Sequence, residues 1–139
     1  MRALIIVDML KDFVDGELAN PRAQAIVEPL ERLLAHARED GWVVVFSNDA
    51  HQAGDPELKI WGEHAMAGTP GAQVVEQLEP REGELISPKR HYGAFDDTGL
   101  TEQLRERGVD DEDALEYLKM AYGAEVTTVA ELAGTPVAA

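Results

Sequence analysis

The sequence predicts an α/β domain built on a parallel sheet. Two unbroken apolar runs, Ala3 to Val7 and Trp42 to Phe46, have the length of strands and are too short for helices. Between them Ile26, Val27, Leu30, Leu33, Leu34 and Ala37 recur at helical spacing. The whole order reads strand, helix, strand, helix, strand, two helices, strand, which suits strands joined by crossover helices.

Ala3 to Val7 reads as a strand buried on both faces, the kind found inside a parallel sheet. Asn20-Pro21 supplies an N-cap and a proline at the first helical position, and Gly41 ends that helix. Pro29 interrupts it, so a kink or a fresh start is expected there. Trp42 to Phe46 is the second strand, closed by Ser47-Asn48-Asp49. Asn48 to Thr69 is a long polar stretch, and connections that long in a compact domain are functional or disordered. Its content of Asp49, His51, Trp61 and His64 favours function. Thr69-Pro70 caps a short helix with Val74, Val75 and Leu78 inward. Glu84 to Ser87 is the third strand and ends at Pro88-Lys89. A polar loop, Arg90 to Asp97, carries His91, Tyr92 and Phe95. Leu100 and Leu104 mark a helix stopped near Gly108. Ala114, Leu115, Leu118, Ala121 and Tyr122 mark another, with Gly123 as its C-terminal glycine. Glu125 to Val129 is the last strand, Thr128 with Glu131 forms a capping box, and the tail from Gly134 to Ala139 is expected to be loose.

A length of 139 residues predicts one domain over 1–139, and 45% apolar residues suffice for a core. The formal net charge of −15 argues against nucleic acid or an anionic membrane as a partner. No run of 18 apolar residues exists, so no membrane span is expected. The first strand begins almost at once and leaves no room for a signal peptide, which predicts a cytoplasmic protein. The absence of cysteine excludes disulfides, thiolate metal sites and a cysteine nucleophile.

Three strands end in polar residues: Asp8, Asp49 and Lys89. In open α/β sheets ligands sit beyond the carboxyl ends of the strands, so parallel neighbours would bring all three to one rim. Asp8 alone reads equally as a cap for the next segment. Asp8 with Lys89 is either a catalytic pair or a structural ion pair. Asp49-x-His51, with His64 thirteen residues on, supplies two imidazoles and a carboxylate, a set suited to Zn, Mn or Fe(II) with open positions. The alternative is a pair of solvated loop histidines. Phe13, Trp61, Tyr92 and Phe95 either line an apolar pocket for a flat substrate or simply pack. Glu102 to Asp113 is charge-rich and reads as a solvated helix face.

The stretches IIVDMLKDF, FSNDAHQAGDPEL, IWGEHAMAGTPGAQVV, ISPKRHYGAF, LTEQLRERGVD and DALEYLKMAYGAEVTTVAEL resemble the isochorismatase-like cysteine hydrolases, especially nicotinamidases and related amidases. Together they cover nearly the whole chain. The resemblance implies a three-layer α/β/α sandwich around a six-stranded, mostly parallel, Rossmann-like sheet. It implies an Asp, Lys and Cys triad, with Asp8 and Lys89 at the first two places. It implies a divalent metal held by Asp49, His51 and His64, with Trp61 as a substrate-stacking aromatic and Phe13 as another pocket residue. In such enzymes the Asp takes the thiol proton, the Lys supports the thiolate and later anions, and the thiolate attacks the substrate carbonyl. The metal orients a ring nitrogen of the substrate. A small-molecule substrate, no organic cofactor and a homo-oligomer are the matching expectations.

The chain departs from that pattern after Asp110. The family continues with a fourth strand, a turn carrying the nucleophilic Cys, a helix and a fifth strand. Here Asp110 runs directly into Asp111-Glu112-Asp113-Ala114, which resembles the start of the last family helix. A strand–helix–strand unit of on the order of 30 or more residues is missing, and the nucleophile and the backbone amides of the oxyanion hole go with it. Ser87 is two residues from Lys89 on the same strand face, so a Ser–Lys pair is chemically conceivable, but the site was built around a thiol on a different strand. In the family sheet order, 3-2-1-4-5-6, removal of strands 4 and 5 would leave Ala3 to Val7 as an apolar edge. Either Glu125 to Val129 moves in beside the first strand, giving 3-2-1-4, or a second chain covers the edge. The first repair, within an oligomer, is expected. The resulting expectation is a hydrolase scaffold for C–N amide bonds of a small molecule such as nicotinamide, impaired by the missing cysteine. The alternatives are an active enzyme whose sequence here lacks a segment, and a non-catalytic small-molecule-binding, metal-binding or assembly protein.

Overall fold

The computed structural model describes residues 1–109 and 116–119. Four parallel strands form one sheet: β1 (Ala3–Val7), β2 (Val43–Asp49), β3 (Leu85–Lys89) and β4 (Glu116–Lys119), in the order β3-β2-β1-β4. The helices are α1 (Lys11–Val14), α2 (Pro21–Glu39), α3 (Leu58–Trp61) and α4 (Leu100–Glu106).

Side-chain alternation along the strands separates two cores. Leu4, Ile6, Val44 and Phe46 face α2, where Leu30, Leu34 and Ala37 meet them together with Val75 and Leu78. Ala3, Ile5, Val7, Val45 and Leu85 face the other way, against Leu100, Leu104 and Val109. All five residues of β1 are buried, as a strand covered on both faces requires. Helices on both sides of a parallel sheet make the predicted α/β/α layering.

The ends of α2 follow its sequence signals. The Asn20 side chain accepts from Ala23 N at 2.9 Å and Pro21 takes the first helical position. Gly41, with φ +69°, supplies the left-handed turn that lets Trp42 N donate back to Ala37 O at 2.9 Å. The fresh start expected at Pro29 does not occur, and α2 is continuous through it. Pro29 is exposed, so water can serve the carbonyl it leaves without a donor, while buried Leu30 and Leu34 hold the next turns.

Two expectations are corrected. The short helix after Thr69-Pro70 is two 3-10 turns, Pro70–Ala72 and Glu76–Leu78. The backbone between them is taken by the segment after β1: Lys11 N donates to Gln73 O at 2.9 Å and Val75 N to Met9 O at 3.0 Å. Of the helix expected over Ala114 to Tyr122, the described residues Glu116 to Lys119 form β4 instead, pairing in parallel with Leu4 to Val7. An apolar strand with an open ladder edge outweighs a weak helical pattern. The order 3-2-1-4 is present, but its occupant is Glu116–Lys119 rather than Glu125 to Val129. Glu125 to Val129, Gly123, the Thr128–Glu131 capping box and the tail from Gly134 lie outside the described residues.

One ion pair ties α2 to the entry of β3. Arg38 Nε and Nη2 donate to the two Glu84 oxygens at 2.7 and 2.9 Å, and Nη2 also donates to Glu79 O at 2.9 Å. Burial raises the Glu84 carboxyl, but the Arg38 fork and the Arg81 amide outweigh it and hold it below its ordinary value. A depressed carboxylate stabilises above its unfolded pKa, and that contribution is lost as pH falls through the folded value. Arg38→Ala should lower unfolding stability by about 2 kcal/mol at pH 7 in urea titrations, with the deficit shrinking below about pH 4. A deficit that does not change with pH would contradict this role.

Candidate functional site

The register of the sheet builds the centre of the site. Asp49 and Lys89 are direct partners across β2 and β3, so their side chains share one face. Val7 pairs with Ser47, and Asp8, the next residue, donates its N–H to Ser47 O at 3.0 Å. Asp8 sits at φ 55°, a left-handed conformation uncommon outside glycine, and it turns the carboxylate back over the strand ends. Asp8 Oδ1 accepts from Asp49 N at 2.8 Å, and Asp8 Oδ2 accepts from Lys89 Nζ at 2.8 Å. The same ammonium donates to Asp49 Oδ1. All three side chains are buried, with Lys89 only 2% exposed.

One buried cation thus serves two buried carboxylates. Desolvation, and after it the charge of Asp49, push the Asp8 carboxyl up to about 6 against the opposing pull of Lys89. Burial lowers the Lys89 pKa, but the two carboxylates outweigh it and hold the ammonium above its ordinary value. At neutral pH the lysine is charged, and Asp8 stands within reach of both protonation states.

Asp49 also faces the second half of the site. His51 Nε2 lies 3.6 Å from Asp49 Oδ2, and one ligand atom from each of Asp49, His51 and His64 lies within 4.8 Å of the others. His64 Nδ1 donates to Gly62 O at 2.8 Å, because a carbonyl only accepts. That leaves Nε2 as a bare acceptor. The Nε2 atoms of both histidines are buried and have no hydrogen-bond partner. Two orphaned imidazole nitrogens beside a carboxylate fit a divalent cation. The alternative of solvated histidines is not what the structure shows, since His51 and His64 are 1% and 2% exposed.

Backbone pairing assembles this half. His51 N donates to Ala65 O at 3.0 Å, Ala67 N donates to His51 O at 2.9 Å, and Ala65 N is held by Asp12 Oδ2 at 2.8 Å. The His51 and His64 rings meet at 4.8 Å, and Phe13 walls His64 at 5.6 Å. Phe13 is buried among Leu10 and Ala65. Trp61 and Tyr92 stand together at the surface, 46% and 60% exposed, with Trp61 Nε1 donating to Tyr92 Oη at 3.3 Å. Phe95 packs into the core beneath α4. Ser87 Oγ is buried without a hydrogen bond, and the Lys89 ammonium is committed to the two carboxylates, so no Ser–Lys pair is formed.

Three neighbours of His51 carry no signal in the sequence reading. Asp55 Oδ2 lies 3.4 Å from His51 Nδ1, Glu57 Oε2 lies 3.8 Å from His51 Nε2, and Arg90 binds Asp55. Asp55 stands four residues after His51, a helical spacing, but no helix spans them; Glu57 is six residues on and Arg90 is 35 residues from Asp55, so the folded loop unites them.

The profile of the Isochorismatase domain matches residues 2–115. A nicotinamidase/pyrazinamidase of Mycobacterium tuberculosis is 36% identical over 131 residues, covering 83% of this chain and 70% of that protein. Among solved structures, the N-carbamoylsarcosine amidase of Thermoplasma acidophilum superposes with a TM-score of 0.75 at 39% identity, covering 79% of this chain and 64% of that one. The pyrazinamidase of Pyrococcus horikoshii in complex with zinc gives a TM-score of 0.70 at 29% identity, covering 77% and 65%. The chain spans between 52% and 70% of the length of the first curated relatives it matches.

A carboxyl raised in the folded state stabilises fully below its unfolded pKa, and that contribution is lost as pH rises through the folded value. In chelated protein the Asp8 carboxyl should therefore titrate near 6 by carbon NMR, and stability should fall between about pH 4 and 6. Asp8→Asn should remove that slope. An Asp8 titration at or below its ordinary 3.8 would contradict the geometry.

Proposed function

The chain belongs to the isochorismatase family, and we propose that it is a metal-binding, small-amide-binding member whose C–N hydrolase site is impaired in thiol catalysis. The observation that carries this reading is the convergence of Asp8, Lys89, Asp49, His51 and His64 at the carboxyl end of one parallel sheet. The similarity to a nicotinamidase/pyrazinamidase supports a small amide such as nicotinamide as the ligand class. The zinc named for the Pyrococcus horikoshii structure supports a divalent metal.

The geometry supports the following roles. Asp8, with its raised proton affinity, takes or returns a proton at the rim. The buried Lys89 ammonium favours negative charge developing beside it. Asp49, His51 and His64 hold the metal, with Zn, Mn and Fe(II) all suited to this donor set, and Glu57 is the nearest further carboxylate. When bound, the metal supplies an electrophilic centre that orients a nitrogen or oxygen donor of the amide. Trp61 and Tyr92 contribute exposed aromatic surface for a flat ring, and buried Phe13 backs the His64 imidazole. The 139 residues hold no cysteine, and Ser87 is not paired with a base. Removing the nucleophile of a catalytic triad costs roughly a factor of 10⁶ in kcat. A soluble, cytoplasmic protein that takes a small molecule rather than nucleic acid or membrane fits the charge of −15.

A second reading, assembly without ligand, has one point against its original motive. β4 covers the β1 edge within the chain, so edge protection does not call for a homo-oligomer.

Metal analysis and an ammonia-release assay test the proposal together. One zinc per chain, lost in His51→Ala, is expected. Nicotinamide should quench or shift Trp61 fluorescence, and ammonia release should stay near the buffer rate and be unaffected by iodoacetamide. No bound metal and no response to the amide would overturn the reading in favour of assembly.

A further inference from the structure

The two histidines of the site are locked in different ways. His64 uses a backbone carbonyl, that of Gly62, as the acceptor for Nδ1–H. His51 uses the Asp55 carboxylate, whose Oδ2 lies 3.4 Å from Nδ1. Asp55 is 4% exposed, and its hydrogen bonds come from two further directions. Its Oδ2 accepts from Gln52 N at 2.9 Å and from Arg90 Nε at 3.2 Å, while Oδ1 accepts from Arg90 Nη2. The guanidinium fork fixes the carboxylate plane as a lysine could not. The fork and the Gln52 amide leave Oδ2 facing His51 Nδ1. Arg90 directly follows Lys89, so the end of β3 sends one cation to Asp8 and Asp49 and the next to the support of His51.

We propose that Asp55, clamped by Arg90 and the Gln52 amide, is a positioning residue that holds His51 in the Nδ1–H tautomer and turns its bare Nε2 toward Asp49 and His64. A neutral histidine free in water favours the opposite tautomer, with the proton on Nε2. That proton would point into the space the two orphaned nitrogens share and would block a ligand there. The Asp55 carboxylate rewards the proton on Nδ1 and so releases the Nε2 lone pair. The inference rests on the reading that Asp49, His51 and His64 hold a metal, and it names the chain of residues that readies one ligand for it. The plainer role for Asp55 and Arg90 is a staple between the loop after β2 and the end of β3. The two roles separate in the imidazole spectrum, which a staple alone would not set.

The experiment uses the full chain. Long-range proton–nitrogen spectra of the chelated protein at pH 8, assigned against His51→Gln, should show His51 as the Nδ1–H tautomer. In Asp55→Ala it should move to Nε2–H, and zinc affinity, read by competition with a chromophoric chelator, should fall about 10- to 100-fold. Asp55→Asn keeps a carbonyl acceptor, so it should retain the tautomer and lose less affinity than Asp55→Ala. Arg90→Gln should lie between wild type and Asp55→Ala. An Nε2–H tautomer in the wild-type protein, or an Asp55→Ala zinc affinity within twofold of wild type, would overturn the proposal. If Asp55→Ala does not fold, the wild-type spectrum and Asp55→Asn still decide it. Failure of the wild-type chain to bind zinc would end the metal reading, while the tautomer would still be decided by the spectrum.

Discussion

The Lys89 ammonium is the single charge on which the carboxyl end of the sheet depends. It lies between Asp8 and Asp49, and each of the three comes from a different parallel strand or its immediate end. Two carboxylates packed this closely in a dry interior repel one another and lose their hydration. The lysine makes the arrangement tolerable, and its presence fixes where each chain end must stand. The left-handed Asp8 backbone, the bond from Asp49 N to Asp8 Oδ1 and the Asp49–Lys89 register are local consequences of serving that charge.

Asp49 carries this constraint outward. Its Oδ1 belongs to Lys89 and its Oδ2 faces His51, so one carboxylate joins the Asp8–Lys89 group to the two histidines. The long polar stretch after β2 is accordingly not a free loop. The bridge from His51 to Met66, the Asp12 acceptor and the Arg90–Asp55 fork tie it to α1 and β3. Each imidazole Nδ1 meets an oxygen, that of Asp55 for His51 and that of Gly62 for His64, and both Nε2 atoms are buried. The result is a buried cluster of carboxylates, an ammonium and two imidazoles at the carboxyl end of the sheet, in a chain of 139 residues that contains no cysteine.

The parts visible in the sequence are those set by local pattern. Ala3 to Val7 announces itself as a doubly buried strand because nothing polar interrupts it, and its bounds agree with β1. Asp8, Asp49 and Lys89 are visible as polar residues closing apolar runs, and a parallel sheet has to bring such residues together. Tertiary requirements hide the rest. Ala114 to Tyr122 has helical spacing, and only the open edge of β1 turns Glu116–Lys119 into a strand. Val74 and Val75 look helical until the segment after β1 takes their backbone groups. Asp55 and Glu57 approach His51 through a loop, not a helix, and Arg90 reaches Asp55 from 35 residues away. Phe95, one of four aromatics weighed for a pocket, is core packing, and nothing in its local sequence separates it from Tyr92.

The dependence of the site on Lys89 is most directly tested by equilibrium urea unfolding of Lys89→Met across pH. Removing one partner of a buried ion pair while leaving the other charged costs about 3–5 kcal/mol. Here two carboxylates would be left facing each other. The account predicts a loss of that size at pH 7, shrinking toward pH 4 as the carboxyls take up protons. A variant within about 1 kcal/mol of wild type at pH 7, with no dependence on pH, would show that the charge is not what holds the three strand ends together.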